Sequence, residues 1–258
     1  MRVLVTNDDG IGSPGLHALV GAIAADGHDA VIAAPAADCS GFGAAIGPLH
    51  LSGQIAFERA DGLCGVDAVA VDGPPALAVL AGCLGGFGPR PGVVVSGINA
   101  GANTGRAVLH SGTVGAALTA VNFGVPAIAV SLAVDEGHHW ETAAEAAACL
   151  VDWVAARPLP LALNLNVPDV GPGSVRGVTV AALEAGGVVQ SVMEETREGV
   201  LEMRISGSRE PSPGSDTALL AEGYVTVTAL LGLHAVELSA PVARLRSVLA
   251  RHVVGAAS

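Results

Sequence analysis

Short β-branched runs alternate with Ala- and Leu-rich stretches of helical length, and no other feature limits the fold as much. "RVLV" (2–5) precedes "PGLHALVGAIAADG" (14–27), and "DAVIAAP" (29–35) follows. After a less regular section containing "AVAVDGPPALAVLAGCL" (68–84), the pattern resumes. "PGVVVSGINAG" (91–101), "SGTVGAALTAVNFG" (111–124), "VPAIAVSLA" (125–133) and "WETAAEAAACLVDWVAA" (140–156) lead to the extended "LALNLNVP" (161–168). Pro14 and Gly27 bound the first helix as start and stop. Apolar strands without alternation are buried on both faces. With helices between them they call for a parallel, doubly wound α/β sheet.

The pattern lapses beyond residue 170. "GVTVAALEAGG" (177–187), "LEMRISG" (201–207) and "GYVTVTAL" (223–230) read as longer or more exposed strands. The expected division is a core over 1–170 and a β-rich extension over 171–258. Within the extension, 208–216 reads as a mobile loop, and a last helix follows Pro241.

The 258 residues, 51% of them hydrophobic, suffice for one large domain. No apolar run reaches membrane-spanning length, and "MRVLVTNDDG" turns polar too soon for an export signal. Cys39, Cys64, Cys83 and Cys149 form no C-x-x-C pair. They read as reduced thiols of a cytoplasmic protein. A formal net charge of −12 with scattered arginines speaks against polymeric nucleic acid as a partner. It also means that an anionic substrate would be helped by a bound cation.

Several strands end in polar residues. The first runs into Asn7-Asp8-Asp9, the second into Asp38, Ser40 and Gly41, the third into Ser96, Asn99 and Asn103. In an open parallel sheet the carboxyl ends of strands share one edge, where the crevice forms. The gathered groups are oxygen donors suited to a hard cation such as Mg2+ or Mn2+. Taken alone, Asp8 and Asp9 could equally be turn or capping residues. Gly10, Gly12 and Gly15 fit G-x-G-x-x-G after a strand, with Asp38 placed like a ribose-binding acid, so a dinucleotide-binding oxidoreductase is an alternative. Two carboxylates before the first glycine would oppose a pyrophosphate there. "GINAGANTG" (97–105) and "HSGTVGAA" (110–117) offer glycine backbone and a helix start at Ser111-Gly112-Thr113, either a phosphate cradle or a capped helix. His17 reads as a packing or surface residue, Asp135-Glu136 with His138-His139 as an exposed loop, and Trp140, Trp153 and Tyr224 are too few and dispersed for a base-stacking platform.

Together "NDDG" (7–10), "CSG" (39–41), "VVSGINAGANTG" (94–105), "SGTVGAA" (111–117), "PAIAVS", "NLNVP" and "SDTALLAEGYVTVTAL" resemble the SurE family of stationary-phase survival proteins. The resemblance implies a Rossmann-like core and a divalent-metal-dependent phosphomonoesterase acting on nucleoside monophosphates or a related small phosphomonoester. It implies one Mg2+ or Mn2+ per subunit, held by Asp8, Asp9, Ser40 and Asn99. It also implies a homodimer or homotetramer, with the β-rich region exchanged as an arm. Gly41, Asn103, Arg106, Ser111, Gly112 and Thr113 are the expected phosphate and substrate contacts. Asp9 is the candidate for positioning the attacking water. The chain departs from the family pattern at Arg106, where an acidic residue is usual. It departs again at His110, where a tyrosine is usual, and in Gly73–Ala78. His110 could protonate the leaving oxygen. An inactive, SurE-like binding or scaffold subunit is the remaining alternative.

Overall fold

A computed structural model describes residues 1–63, 65–135 and 137–233. The helix expected after Pro241 lies outside them. In chain order the elements are β1 (Arg2–Thr6), α1 (Pro14–Ala25), β2 (Asp29–Pro35), α2 (Leu49–Ser52), β3 (Phe57–Leu63), β4 (Val66–Val71) and α3 (Pro75–Cys83). Next come β5 (Val93–Ala100), α4 (Gly112–Asn122), β6 (Ala127–Ala133), α5 (Trp140–Ala148), α6 (Val151–Ala155) and β7 (Ala162–Pro168). The last are β8 (Gly177–Val180), β9 (Val189–Arg197), β10 (Val200–Ser208), α7 (Asp216–Ala221) and β11 (Tyr224–Leu230).

Nine strands form one sheet in the order β3-β4-β2-β1-β5-β6-β7-β11-β8. The run from β4 to β7 is parallel throughout, as the buried apolar strands require. Val3 and Val5 of β1 face a layer built on Leu16, Leu19 and Ile23 of α1 and Ala143 and Ala147 of α5. Leu4, between them, faces α3 and α4 through Leu77, Val79, Val114 and Ala117. Each fully buried aliphatic side chain contributes roughly 1.5–3 kcal/mol. The α1 packing is close: a Cβ at Gly15 would lie 2.3 Å from the Ile98 carbonyl oxygen. That crowding explains the glycine without any dinucleotide.

From β1 the chain steps outward through β2 to β4. From β5 it steps the other way through β6 to β7. The reversal between adjacent β1 and β5 opens the crevice at their carboxyl ends.

The β-rich extension divides in two. Strands β11 and β8 join the main sheet, β11 antiparallel to β7 and β8 parallel to β11. Only β9 and β10 leave it, as an antiparallel hairpin with Met193 opposite Met203. One face carries Met193, Leu201, Met203 and Ile205, each 64–74% exposed. The other carries Arg204, paired with Glu194 at 3.3 Å and Glu202 at 3.9 Å.

Two expectations need correction. The helix expected over 140–156 breaks at Cys149–Leu150 into α5 and α6. The segment 208–216 is not a loose loop. The buried Glu184 carboxylate accepts from Arg209 Nη2 at 2.6 Å and the Ser212 amide at 2.6 Å, tying it down.

Candidate active site

β1 stops at Thr6, and Asn7, Asp8 and Asp9 turn into the crevice. Asn7 Nδ2 donates to the Gly10 carbonyl at 3.0 Å and to Ser13 Oγ at 2.6 Å. Ser13 in turn caps α1, accepting from the Leu16 amide. The acid-bearing turn is thus fixed to a helix start. Gly10, at φ +98°, takes a backbone conformation that side chains resist.

Asp8 is 3% exposed and accepts from Thr113 Oγ1. Burial pushes its carboxyl up, and the Thr113 hydroxyl with the Gly112 and Thr113 amides offsets only part of that. Asp9 is half-buried. Burial, then the adjacent Asp8 charge, push it up to about 6, against the Ala100 amide that favours its ionised form. Among the described residues no arginine or histidine pairs with either acid. The described residues leave the negative charge of the site uncompensated.

The segment after β2 lies beside them, its Cys39 amide donating to the Asp8 carbonyl at 2.7 Å. Ser40 donates through Oγ at 2.6 Å and its amide at 2.8 Å to Asp38 Oδ1. The Ser40 lone pairs stay available, and those two bonds hold the Asp38 carboxyl below its usual range. Asp38 is therefore engaged locally rather than poised for a ribose. Gly41 is exposed, at φ +82°. On the other side, the β5–β6 register slips between Ser96 and Asn99 by one extra residue. Asn99 then donates Nδ2 to the Gly101 carbonyl at 2.7 Å, which leaves its Oδ1 to accept or ligate. Adjacent strands β2, β1 and β5 thus carry Ser40, Asp8, Asp9 and Asn99 to one edge. Two carboxylates, a hydroxyl and an amide oxygen, short of positive charge, fit a hard divalent cation.

The other expected contacts divide. Ser111 is buried and caps α4, its Oγ accepting from the Val114 amide at 3.1 Å. A Cβ at Gly112 would come within 2.8 Å of Asp8 Oδ2, so that glycine admits the acid. Thr113 turns its hydroxyl to Asp8, and Asn103 turns inward. The Asn103 amide donates to Asn166 Oδ1 at 2.8 Å, and its Nδ2 to Ser131 Oγ at 2.9 Å. Its carbonyl accepts from Asn164 and Asn166. Both residues belong to the frame that holds the site. Arg106 is exposed, with Nε on the Ala185 carbonyl at 2.8 Å. His110 is exposed, and its carbonyl accepts from the Gly43 amide at 3.1 Å.

Sequence reasoning missed Ser131, Asn164, Asn166 and the buried pair Glu184 and Asp216. Two asparagines two apart in the apolar "LALNLNVP" were the available signal, since they share one face of a buried strand. Asp216 Oδ2 accepts from the Gly105 amide at 2.8 Å and Oδ1 from the Glu184 amide at 2.9 Å, fastening the glycine loop to the extension. The His138-His139 loop is gathered by Asp169, which accepts from the amides of Asp135, His138 and His139. Glu136 lies outside the described residues.

The family model for "Survival protein SurE" matches residues 3–188. A relative from Xanthomonas campestris pv. campestris, named 5'-nucleotidase SurE, is 43% identical over 187 residues, 71% of this chain and 70% of its own. Another of that name, from Methylococcus capsulatus, is 35% identical over 236 residues, 89% of this chain and 91% of its own. The crystal structure of the SurE protein from Aquifex aeolicus superposes with a TM-score of 0.75 at 28% identity, covering 90% of this chain and 93% of that one. The match spans the acid-bearing turn, the glycine loop and the start of α4 alike, and the chain belongs to the SurE family.

Proposed function

We propose that the chain is a divalent-metal-dependent phosphomonoesterase acting on nucleoside monophosphates or a related small phosphomonoester. The observation that carries this is the acid pair Asp8 and Asp9, which no described arginine or histidine compensates, at the crevice beside the start of α4. The name 5'-nucleotidase carried by relatives supports it. Asp8, Asp9, Ser40 and Asn99 would hold one Mg2+ or Mn2+. When bound, the cation would neutralise phosphoryl charge as the ester bond breaks.

The protein's own groups do the rest. Asp9 orients the attacking water and takes its proton. The new bond joins that water oxygen to phosphorus, and the bond from phosphorus to the alcohol oxygen breaks. His110 delivers a proton to the departing alcohol. Gly41 and Gly112 offer backbone, and Arg106 uses its remaining guanidinium N–H groups for a substrate anion. The products are inorganic phosphate and the alcohol.

Phosphate release from a panel of nucleotides, sugar phosphates and simple phosphomonoesters tests the reading. It should cease on chelation and return with Mg2+ or Mn2+. Full activity after thorough chelation would remove it. The exposed apolar face of the β9–β10 hairpin supports a second copy of the chain as the partner, in a dimer or tetramer. Light scattering at micromolar concentration should give at least twice the 25.3 kDa chain mass. A strict monomer would contradict it.

A further inference from the structure

Between the segment after β2 and the start of α3 lies a cavity of about 390 Å³, large enough for a small organic group. Its walls are mainly aliphatic, from Ile46, Leu49, Ile55 and Leu77, with the Phe42 ring at one side. Phe42 and Ile46 stay 55% and 37% exposed, leaving apolar surface at the cavity mouth.

Two hydrogen bonds tie the segment that lines one side of this cavity to the candidate active site. Phe42 follows Ser40 by two residues. The segment carrying both is pinned to the Asp8 carbonyl through the Cys39 amide at 2.7 Å. It is pinned again to the His110 carbonyl through the Gly43 amide at 3.1 Å. A wall of the cavity is therefore continuous with the loop that would meet the metal and phosphate.

The charge of the cavity restricts what enters. Among the described residues lining it, Asp72 is the one charged side chain. The adjoining start of α3 reads Pro74-Pro75, which have no N–H to offer an anion. A second phosphate or a carboxylate would meet the like charge of Asp72. Besides Asp72 the lining offers a polyol only Ser52 and Gln54, so most of its hydration would be lost against the aliphatic remainder.

We propose that this cavity is the leaving-group subsite, and that it takes the uncharged, apolar body of the substrate's alcohol while the phosphoryl group sits at Asp8 and Asp9. The proposal rests on the phosphomonoesterase reading and, of the two substrates named there, selects the small phosphomonoester over the nucleoside monophosphate, whose ribose is itself a polyol. The leaving group is recognised by apolar bulk.

The full chain with Mg2+ should be assayed on methyl, propyl and hexyl phosphate, with glycerol phosphate as the polar control. We expect kcat/KM to rise about three- to fourfold for each methylene the cavity buries, and glycerol phosphate to fall below propyl phosphate. Ile46→Asp and Phe42→Ser, at exposed positions outside the core, should flatten the series, read within each variant as the ratio of hexyl to methyl phosphate. Their melting curves check that the fold survives. A flat series in the natural chain, with methyl phosphate hydrolysed, overturns the subsite alone. A steep series unchanged in both variants places the apolar contact elsewhere and also overturns it. No phosphate from any ester overturns the parent reading and this one with it.

Discussion

Two acid pairs meet the two ends of the glycine loop 101–105, Asp9 at the Ala100 amide and Asp216 at the Gly105 amide, and they have opposite chemistry. Glu184 and Asp216 are buried and surrounded by donors. The Gly186 and Ser212 amides, then Arg209, hold the Glu184 carboxyl down to about 2. Asp8 is buried and Asp9 half-buried, with too few donors, and both carboxyls are pushed up. Burial alone raises a carboxylic acid, while N–H donors lower it. The sign of the balance therefore separates a structural fastening from a site prepared for an external cation.

The largest expected effect comes from Asp8→Asn or Asp9→Asn. Each should lower phosphate release by at least about 100-fold. Melting in the absence of metal should show no loss of stability, because a strained charge is removed. Mg2+ should raise Tm of the natural chain but not of either variant. A variant that unfolds instead would mean that this pair, too, is a fastening.

Asp216→Ala should do the reverse. Three amides, of Gly105, Glu184 and Thr217, lose their acceptor. The cost is about 3 kcal/mol, a fall of roughly 6–12 °C in Tm for a chain of this size. Activity that remains below the new Tm should keep its metal requirement. An unchanged Tm would sink the contrast.

The smallest effect is in pH. Asp9 has its folded pKa raised to about 6, so protonation favours the folded form. Its share of the metal-free stability is largest below about pH 4 and is lost as pH rises through 6. Glu184 has its folded pKa lowered to about 2. Its share is present above the unfolded value near 4.5 and is lost as pH falls toward 2. Urea melts between pH 3 and 8 should show Asp9→Asn flattening the upper slope. Glu184→Gln should flatten the lower one. The same slope in both variants would erase the distinction.

The central sheet was legible because apolar strands buried on both faces have no polar face to confuse the pattern; "RVLV" in β1 and "AIAV" in β6 show it. β3 escaped notice because it is an antiparallel strand at the sheet edge, and "FERADGL" mixes charged and apolar residues. The break between α5 and α6 left no signal, since "WETAAEAAACLVDWVAA" has neither glycine nor proline inside it. At the site, the acids, Ser40 and Asn99 were legible as ends of adjacent strands. Thr113 and Asn103 were read as substrate contacts because sequence shows which groups are polar, not which way they turn. Glu184 was hidden because its partners stand 25 and 28 residues away.

The Glu184 fastening also bears on how the molecule could be taken apart. The β9–β10 hairpin leaves and returns through one narrow neck, where the Arg209 amide donates to the Val188 carbonyl at 3.0 Å and Arg209 Nε to the Gly187 carbonyl at 3.1 Å. The two stumps already touch. Excising 189–208 and joining the stumps through a short turn would need little loop closure. The hairpin is in this sense a detachable module, an insertion grafted onto a scaffold whose sheet closes without it.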